Sequence, residues 1–305
     1  MAVRLVPIEE SKDAAGPRFS LMSFNVLAQC YVRSAFFPYC DKRFLKWKTR
    51  SLLLKGQMAS MHPSPDIVCF QECDHYEDFW KEMMANLDYS GVYMKKSGSK
   101  SDGVAIFWLH DRLEMTGFEQ VELKNAIGDL ELAQRLEEMA NVGLIASFKS
   151  KYDVDVPNFS VATTHLFWDP AQADVKLSQA TYLLETMQLY IKSNPYPMFL
   201  AGDFNSLPES PVYSAILGNG LRASAYTAQG NGEPAFTNCN GIDKDGKPAF
   251  VGTLDYIFYE PQNVVVTALA PLISYEEATA QTALPNCKFG SDHLPLVAEF
   301  AFSGV

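Results

Sequence analysis

The arrangement of short apolar segments constrains the fold of this chain more than any other sequence feature. About nine strand-like segments and four or five helical ones alternate irregularly between residues 20 and 302. No fixed-period repeat appears among them, and no linker rich in Pro, Gly and Ser separates them. Because mixed strands and helices bury their apolar faces by packing in layers, the pattern predicts a layered α/β or α+β sandwich.

The elements themselves are predicted from hydrophobic periodicity. Apolar stripes at helical spacing predict a long helix over residues 171–191 and another over residues 44–61. Asp74, with Glu77 three residues later, predicts the start of a third helix through a capping box. Strands are predicted at residues 20–27, 66–70, 104–108, 143–148, 160–165, 198–201, 254–259, 264–269 and 296–302.

Composition and charge argue against several classes of protein. The chain has 305 residues, and its 25 Lys and Arg against 36 Asp and Glu give a net charge of −11. A hydrophobic content of 48% excludes a mostly disordered chain. The longest apolar stretch, residues 264–273, is shorter than the roughly 20 residues of a membrane span. The acidity argues against binding of duplex nucleic acid through a broad basic face, but not against gripping a few nucleotides around a cation.

The sequence also predicts a domain boundary and a compartment. We expect an N-terminal tail over residues 1–17 and a single domain over residues 18–305. The first segment turns acidic before a signal-peptide core could form. The six cysteines contain no CxxC pair, which favours reduced structural thiols. A cytoplasmic protein without a membrane partner is therefore expected.

Polar side chains stand at the ends of several apolar strands. Amide, carboxylate or imidazole groups occur in this way at Asn25, Glu72, His165, Asp203, Asn205, Asp292 and His293, and Asp255 lies within an apolar run. Because strand ends in a layered fold can converge on one rim, these groups could share one site.

Two of these positions suggest binding of a cation and a phosphate. A carboxylate directly after an apolar strand, such as Glu72, needs a partner or a metal. Mg²⁺ takes oxygen ligands and needs only one or two carboxylates. Asp203 and Asn205 are two residues apart on an extended segment, so both could face a nucleophilic water and a phosphoryl oxygen. The alternatives are a loop or N-cap glutamate at Glu72 and an Asx turn at Asp203 and Asn205.

Two histidines are candidates for proton transfer or phosphate contact. A histidine held by a carboxylate is the usual arrangement for general acid–base catalysis. His293 would have this arrangement if the fold brings Asp255 against it. His165 ends a predicted strand close to Trp168 and Pro170. An ordinary surface histidine is the alternative for each.

Six motifs occur in an order that resembles a known superfamily. They are SFNVLAQ at 23–29, FQE at 70–72, TTHLFWDPAQADVKLSQ at 163–179, GDFNSLPESPVY at 202–213, GTLDYIFY at 252–259 and SDHLPL at 291–296. The ordered set resembles the endonuclease/exonuclease/phosphatase superfamily. Within it, the WDP segment and FTN at 236–238 resemble the carbon-catabolite-repressor-type deadenylases, nocturnin, the Angel proteins and the 2′-5′ phosphodiesterases.

This resemblance implies a fold and a cofactor. The fold would be a four-layer α/β sandwich with two central mixed β-sheets flanked by helices. The cofactor would be Mg²⁺, with Mn²⁺ possible, in hydrolysis of phosphate esters. By analogy Glu72 is the main metal ligand, with Asn25 and Asp292 nearby. Asp203 and Asn205 would position the attacking water and contact the phosphate.

The resemblance also implies roles for the remaining site residues. His293, oriented by Asp255, would be the acid–base or phosphoryl-stabilising group, and His165 a phosphate contact. An adenine would be sandwiched between Pro170 and Phe236, and base stacking supplies about 1–3 kcal/mol without a basic surface.

The substrate-binding set also includes Trp168 of the WDP segment. Lys96 and Lys176 would contact phosphates, or else be ordinary solvated lysines. The predicted activity is a Mg²⁺-dependent 3′-5′ exoribonuclease that prefers poly(A), releases 5′-AMP and acts on single-stranded RNA 3′ ends or adenine nucleotides. The alternatives are a 2′-5′ oligoadenylate phosphodiesterase, a nocturnin-like dinucleotide 2′-phosphatase, and an inactive RNA-binding protein. Docking to a deadenylase complex through leucine-rich repeats is not expected.

Overall fold

Two large β-sheets form the centre of the molecule. The computed structural model describes residues 3–153 and 155–303. Its strands are β1 (Val3–Arg4), β2 (Val6–Pro7), β3 (Arg18–Asn25), β4 (Met61–His62), β5 (Ile67–Gln71), β6 (Tyr89–Lys95), β7 (Gly103–Leu109), β8 (Leu113–Glu122), β9 (Val142–Ser150), β10 (Phe159–His165), β11 (Met198–Asp203), β12 (Ala223–Ser224), β13 (Asn238–Asn240), β14 (Phe250–Gly252), β15 (Asp255–Tyr259), β16 (Val264–Leu269) and β17 (Leu296–Phe302). Its α-helices are α1 (Trp47–Ala59), α2 (Lys81–Ala85), α3 (Leu130–Glu138), α4 (Ala173–Ser193), α5 (Pro211–Gly218) and α6 (Tyr275–Ala278).

Both large sheets are mixed. The seven-stranded sheet has the order β2-β16-β17-β3-β5-β7-β6, and the six-stranded sheet has the order β12-β15-β11-β10-β9-β8. The pair β3 and β5 in the first sheet is parallel, as is the pair β10 and β11 in the second. Because parallel neighbours end at the same edge, each of these pairs delivers two strand ends to one side of its sheet.

The two sheets pack face to face and helices cover their outer faces. One core cluster combines Leu21 and Cys69 of the seven-stranded sheet with Val161 and Ala201 of the six-stranded sheet. The opposite face of the seven-stranded sheet packs on α1 and α2, and that of the six-stranded sheet packs on α4 and α5. The predicted four-layer α/β sandwich is therefore confirmed.

The central strands explain why their sequences are continuous apolar runs. Every residue of β5, β10 and β11 is buried. A strand that lies between a second sheet and a helix layer has no solvent face, so it loses the apolar–polar alternation of a half-exposed strand. Polar residues in these strands then stand mostly at the ends, where the chain leaves the core.

The N-terminal segment differs from the predicted tail. β1 pairs with β4, and β2 pairs with β16 at the edge of the seven-stranded sheet. Ile8, which follows β2, is 6% exposed and belongs to the core between the sheets. Part of the segment predicted as a tail over residues 1–17 is thus held by strand pairing and by burial of Ile8. Residues 1 and 2 lie outside the described part of the chain.

The capping box predicted at Asp74 and Glu77 is wrong. The chain passes through His75 with φ of 53° into a π-helical turn, Tyr76–Trp80, that runs into α2, and no side chain caps this turn. The Asp74 carboxylate instead accepts a hydrogen bond from the backbone N–H of Cys30, at 3.2 Å. A contact between distant segments replaces the local cap.

The pairing state of the cysteines and the length of the helices concern the predicted cytoplasmic location. All six cysteines are free: Cys30 is exposed, Cys287 is partly buried, and the other four are buried. Across residues 3–153 and 155–303, no helix combines the length and apolar character needed to cross a membrane.

Candidate active site

Strand ends from both sheets meet at one rim. β3 ends at Asn25 beside β5, whose last residue precedes Glu72. In the other sheet His165 and Asp203 are register partners at the ends of β10 and β11, and Asp203 pairs with Asp255 at the start of β15. The predicted polar residues therefore converge, although they lie far apart in sequence.

Asn25 links the two sheets at the floor of the site. Its side-chain N–H groups donate to Glu72 Oε1 at 3.2 Å and to Asp203 Oδ2 at 2.8 Å. Its Oδ1 accepts from the backbone N–H of Leu27 at 2.9 Å. Glu72 Oε2 accepts from the backbone N–H of Ala28, also at 2.9 Å. Asn25 is fully buried, and in this orientation it aligns two carboxylates with its N–H groups.

Two site residues have strained backbone conformations. Glu72 has φ of 54° and Asn205 has φ of 47°, in the left-handed region that non-glycine residues seldom occupy. Such strain costs on the order of 1–3 kcal/mol and persists only where surrounding contacts enforce it. At Asn205 these contacts include its backbone N–H to Asp203 Oδ1, at 2.9 Å, and the Lys176 ammonium to its carbonyl, at 2.7 Å. The strained turns point both side chains into the site.

His293 is held by a buried chain of hydrogen bonds. Its Nδ1 lies 2.8 Å from Asp255 Oδ2, which also accepts from the Thr237 hydroxyl at 2.6 Å. Its Nε2 lies 3.6 Å from Asp203 Oδ2. Burial alone lowers the pKa of His293, but the carboxylates of Asp255 and Asp203 outweigh it and raise the pKa well above its usual value. The geometry leaves Nε2 as the atom directed at the cavity.

His165 lies against the same Asp203 carboxylate as His293. Its Nε2 lies 3.6 Å from Asp203 Oδ2 and 4.0 Å from Glu72 Oε1. Burial lowers the pKa of His165 well below its usual value, and the charges of Lys96 and His293 add to this effect. Its Nδ1 is buried without a hydrogen-bond partner among the described residues. A neutral imidazole follows from these surroundings.

The acidic groups fit a divalent cation. Burial raises the pKa of both Glu72 and Asp203, as expected for carboxylates removed from water without a sufficient counter-charge. Asp292 accepts from Asn240 at 2.9 Å through Oδ2, while its Oδ1 is buried without a partner in the described chain. Ligand atoms of Asp203, Asp255 and His293 also cluster within 4.8 Å. Thr237 and His293 both bond to Asp255 Oδ2. Asp292 Oδ1 has no partner among the described residues, and each Glu72 oxygen accepts a single hydrogen bond, so each keeps a lone pair for a cation.

The site opens into a cavity of about 640 Å³, which we name the first cavity. Nine of the predicted site residues line it: Glu72, His165, Trp168, Pro170, Lys176, Asp203, Asn205, Asp292 and His293. Asn25 and Asp255 are buried behind them and act through contacts with the lining side chains. A volume of this size is typical of small-molecule and nucleotide sites.

A second cavity of about 560 Å³ adjoins the first. Lys96, predicted to contact phosphate, lines this second cavity and not the first. Its ammonium is buried and lies 2.6 Å from Asp102 Oδ2, and Asp102 also accepts from the Tyr31 hydroxyl at 2.7 Å. Asp102 was not among the predicted site residues, although it directly precedes the apolar strand β7, much as Glu72 directly follows the apolar strand β5.

Phe236 is not brought to the first cavity. It is 6% exposed and packs in a separate apolar cluster with Leu284 and Leu294. The phenylalanine that lines the first cavity is Phe250 of β14. The FTN motif instead contributes Thr237, whose hydroxyl holds Asp255, and Asn238, which lines the cavity. Of this motif, Thr237 and Asn238 therefore lie at the site, whereas Phe236, predicted to stack on an adenine, packs away from the first cavity.

Comparison with known proteins places these features in a family. The model of the Endonuclease/Exonuclease/phosphatase family matches residues 22–293. The chain is 32% identical to Carbon catabolite repressor protein 4 homolog 4 of Arabidopsis thaliana, over 94% of this chain and 78% of that protein. It is 29% identical to the CCR4-Not complex 3′-5′-exoribonuclease subunit Ccr4 of Kluyveromyces lactis, over 93% of this chain but only 41% of that protein.

Solved structures agree with this assignment. ANGEL2, described as a 2′,3′-cyclic phosphatase and solved with adenosine-2′,3′-vanadate, has a TM-score of 0.81 and 25% identity, covering 100% of this chain and 99% of that one. The human Nocturnin catalytic domain with bound sulfate has a TM-score of 0.73 and 25% identity, covering 98% and 99%. The chain belongs to the Endonuclease/Exonuclease/phosphatase family.

Proposed function

We propose that the chain is a Mg²⁺-dependent 3′-5′ exoribonuclease that prefers poly(A) and releases 5′-AMP. The observation that carries the proposal is the convergence of Glu72, Asp203 and His293 at the floor of a nucleotide-sized cavity. The Kluyveromyces relative, which is named a 3′-5′-exoribonuclease subunit and matches 93% of this chain, supports the choice of reaction.

Glu72 and Asp292 would hold the metal. The Glu72 carboxylate is kept in place by Asn25 and Ala28, and Asp292, which lines the same cavity, has a buried oxygen without a partner among the described residues. When bound, Mg²⁺ or Mn²⁺ supplies Lewis-acid stabilisation of the charge that develops on the phosphoryl oxygens. Asn25 would align the carboxylates of the site through its N–H groups.

The remaining residues position a water and manage a proton. Asp203 Oδ2 lies 3.6 Å from Nε2 of both histidines, so a water held there would be oriented by all three side chains. The water oxygen forms a bond to phosphorus while one of its protons passes to the Asp203–His293 pair, the bond to the 3′ oxygen of the preceding nucleoside breaks, and that oxygen takes up a proton from solvent. His293, fixed by Asp255, is the acid–base group, and the Asn205 amide contacts the phosphate.

The terminal adenine would bind in the first cavity. Pro170 and Phe250 line this cavity and offer flat apolar surfaces, so we propose Phe250 in place of Phe236 as the stacking partner. Stacking is worth about 1–3 kcal/mol per base and needs no basic surface. With a net charge of −11, the protein would grip RNA locally, so binding should depend only weakly on salt.

Hydrolysis of small adenine nucleotides is the second candidate. It is favoured by the similarity to ANGEL2, which was solved with adenosine-2′,3′-vanadate and matches this chain with a TM-score of 0.81. Under this reading the substrate is a 2′-5′ oligoadenylate, a dinucleotide 2′-phosphate or a 2′,3′-cyclic phosphate, and the same catalytic groups act on it.

One assay separates the two candidates. RNA with a 3′ A-tract, RNA with a 3′ U-tract, 2′-5′ oligoadenylate, a dinucleotide 2′-phosphate and adenosine 2′,3′-cyclic phosphate are each incubated with Mg²⁺. The proposal expects 5′-AMP from the A-tract, with slower cleavage of the U-tract. Glu72→Gln keeps the size of the side chain and serves as the inactive control. An intact A-tract alongside Glu72-dependent hydrolysis of a small nucleotide would replace the proposal with the second candidate.

Two further properties of the chain are its domain organisation and its cellular compartment. We propose that residues 18–305 form a single catalytic domain, to which the N-terminal strands add an edge. The six free cysteines support a reducing compartment such as the cytoplasm.

A further inference from the structure

The second cavity meets the first at the catalytic groups. Glu72, His165, Trp168 and Asn240 line both cavities, so they form the boundary between them. A phosphate bound beside Glu72 and His165 would therefore have one cavity on each side. None of the catalytic roles described above uses the interior of the second cavity.

Five of the residues that line the second cavity are Tyr, Phe or Trp. Tyr31, Phe36 and Phe37 reach it from the segment after β3, and Phe167 and Trp168 reach it from the segment after β10. Phe36 is 59% exposed and Trp168 is 67% exposed. Large apolar side chains left open to water around a concave surface mark a binding site, and aromatic ones suit the faces of nucleobases.

The two cavities also differ in the charged residues that line them. The first cavity has Lys176 against Glu72, Asp203, Glu209 and Asp292. The second has Lys96 and Lys100 against Glu72 and Glu138, and the Lys96 ammonium is already paired with the buried Asp102 carboxylate at 2.6 Å, which leaves Lys100 as the cation of this lining without an ion pair among the described residues. The Arg33 guanidinium lies 5.9 Å from the centre of the Phe36 ring, which adds a cation beside that ring. In an acidic protein, this side of the site is the better route for a phosphodiester backbone.

The in-line geometry of phosphodiester hydrolysis indicates which part of the substrate lies in the second cavity. In an in-line reaction the attacking water and the leaving oxygen lie on opposite sides of phosphorus. Of the three side chains that would orient the water, Asp203 and His293 line only the first cavity, and His165 lines both. The leaving 3′ oxygen, and the nucleoside that carries it, would then lie on the side away from Asp203 and His293, where the second cavity opens.

We propose that the second cavity binds the penultimate nucleoside of a single-stranded polynucleotide, with its base stacked on Phe36. This inference rests on the proposed exoribonuclease activity and deepens it, since it makes the leaving nucleoside a recognised part of the substrate. Stacking reads the face of a base and not its edge, so this subsite tolerates any base and adds affinity without sequence preference.

Two substrates isolate the contribution of this subsite. A short oligoadenylate fills both cavities, whereas the 4-nitrophenyl ester of 5′-AMP has the terminal nucleoside and no penultimate one. With Phe36→Ala, we expect kcat/KM for the oligoadenylate to fall about tenfold, the loss of one stacked base, and kcat/KM for the ester to change less than about twofold. Phe36→Tyr keeps the ring and should behave as wild type. Phe118→Ala removes an exposed phenylalanine from β8, outside both cavities, and is the matched control.

An abasic residue at the penultimate position gives an independent measurement. The wild-type protein should lose about the same tenfold with this substrate, and Phe36→Ala should lose nothing further. Equal losses on both substrates, or no loss with the oligoadenylate, would overturn the inference while leaving the exoribonuclease proposal intact. If the wild-type protein hydrolyses the ester in a Glu72-dependent manner but leaves the oligoadenylate whole, the exoribonuclease proposal fails, and the inference fails with it.

Discussion

The surroundings of His165 and His293 differ although the two residues are placed almost symmetrically. Each has Nε2 at 3.6 Å from the same Asp203 oxygen, and each is buried, at 5% and 6% exposure. Burial lowers the pKa of both, yet the net shift is downward for His165 and upward for His293. The residue type and the shared carboxylate therefore do not determine the charge state.

The partner of the second ring nitrogen makes the difference. Nδ1 of His293 bonds to Asp255, which Thr237 supports in turn, whereas Nδ1 of His165 has no hydrogen-bond partner in the described chain. Lys96 adds a positive charge on the His165 side. One histidine is built to carry a proton and the other to act as a neutral contact. Substitutions on each side should therefore have unequal effects.

His293→Ala should have the largest effect. Removing a general acid–base group costs about 10²–10⁴-fold in rate, and we expect a loss of about 10³-fold in kcat for release of 5′-AMP from an A-tract. Initial rates at saturating RNA and Mg²⁺ measure it. The same loss in His165→Ala would contradict the division of roles.

Asp255→Asn comes next. The amide keeps the shape of the side chain but loses the charge that stabilises a protonated His293, so we expect kcat to fall about 10²-fold. Asp255 lies behind His293 and does not line the cavity, so KM should change little. A raised KM with an unchanged kcat would instead make Asp255 part of the substrate-binding surface.

Thr237→Val should have an intermediate effect. Valine has nearly the same shape as threonine but cannot donate to Asp255, and it leaves the backbone N–H groups of Leu254 and Asp255 without their acceptor at 3.0 and 3.1 Å. We expect a loss of about tenfold in kcat and about 1–3 kcal/mol of stability, measured by urea unfolding. Thr237→Ser restores the hydroxyl and should recover both. Full activity in the valine variant would show that Asp255 needs no support.

The sequence was sufficient for the fold and for much of the site. Buried strands between two layers must be continuously apolar, so their polar ends at Asn25, His165 and Asp203 were visible as breaks in the pattern. The spatial convergence of these breaks followed from parallel pairing within each sheet.

Contacts between loops could not be predicted from such breaks in the sequence pattern. Asn240 donates to Asp292 across 52 positions of sequence, and Thr237 reaches Asp255 from a loop whose path no periodicity defines. Phe236 and Phe250 are both aromatic residues close in sequence to site residues, and their sequence context does not predict that Phe236 packs with Leu284 and Leu294 while Phe250 lines the first cavity. Side-chain direction in irregular segments depends on tertiary contacts that local patterns do not encode.

His165→Gln should have the smallest effect and gives the sharpest test of the comparison. Glutamine keeps a neutral N–H donor near the position of His165 Nε2, which is all that a neutral imidazole offers there. A single neutral hydrogen bond is worth about 0.5–1.5 kcal/mol, so activity should stay within about tenfold of wild type, with the change mainly in KM. Glutamine cannot exchange a proton near neutral pH, so His293→Gln should lose as much kcat as His293→Ala. Steady-state kinetics on the same A-tract RNA compare the two variants directly. If His165→Gln loses kcat as severely as His293→Gln, both histidines transfer protons, and the difference in their Nδ1 partners does not divide their roles.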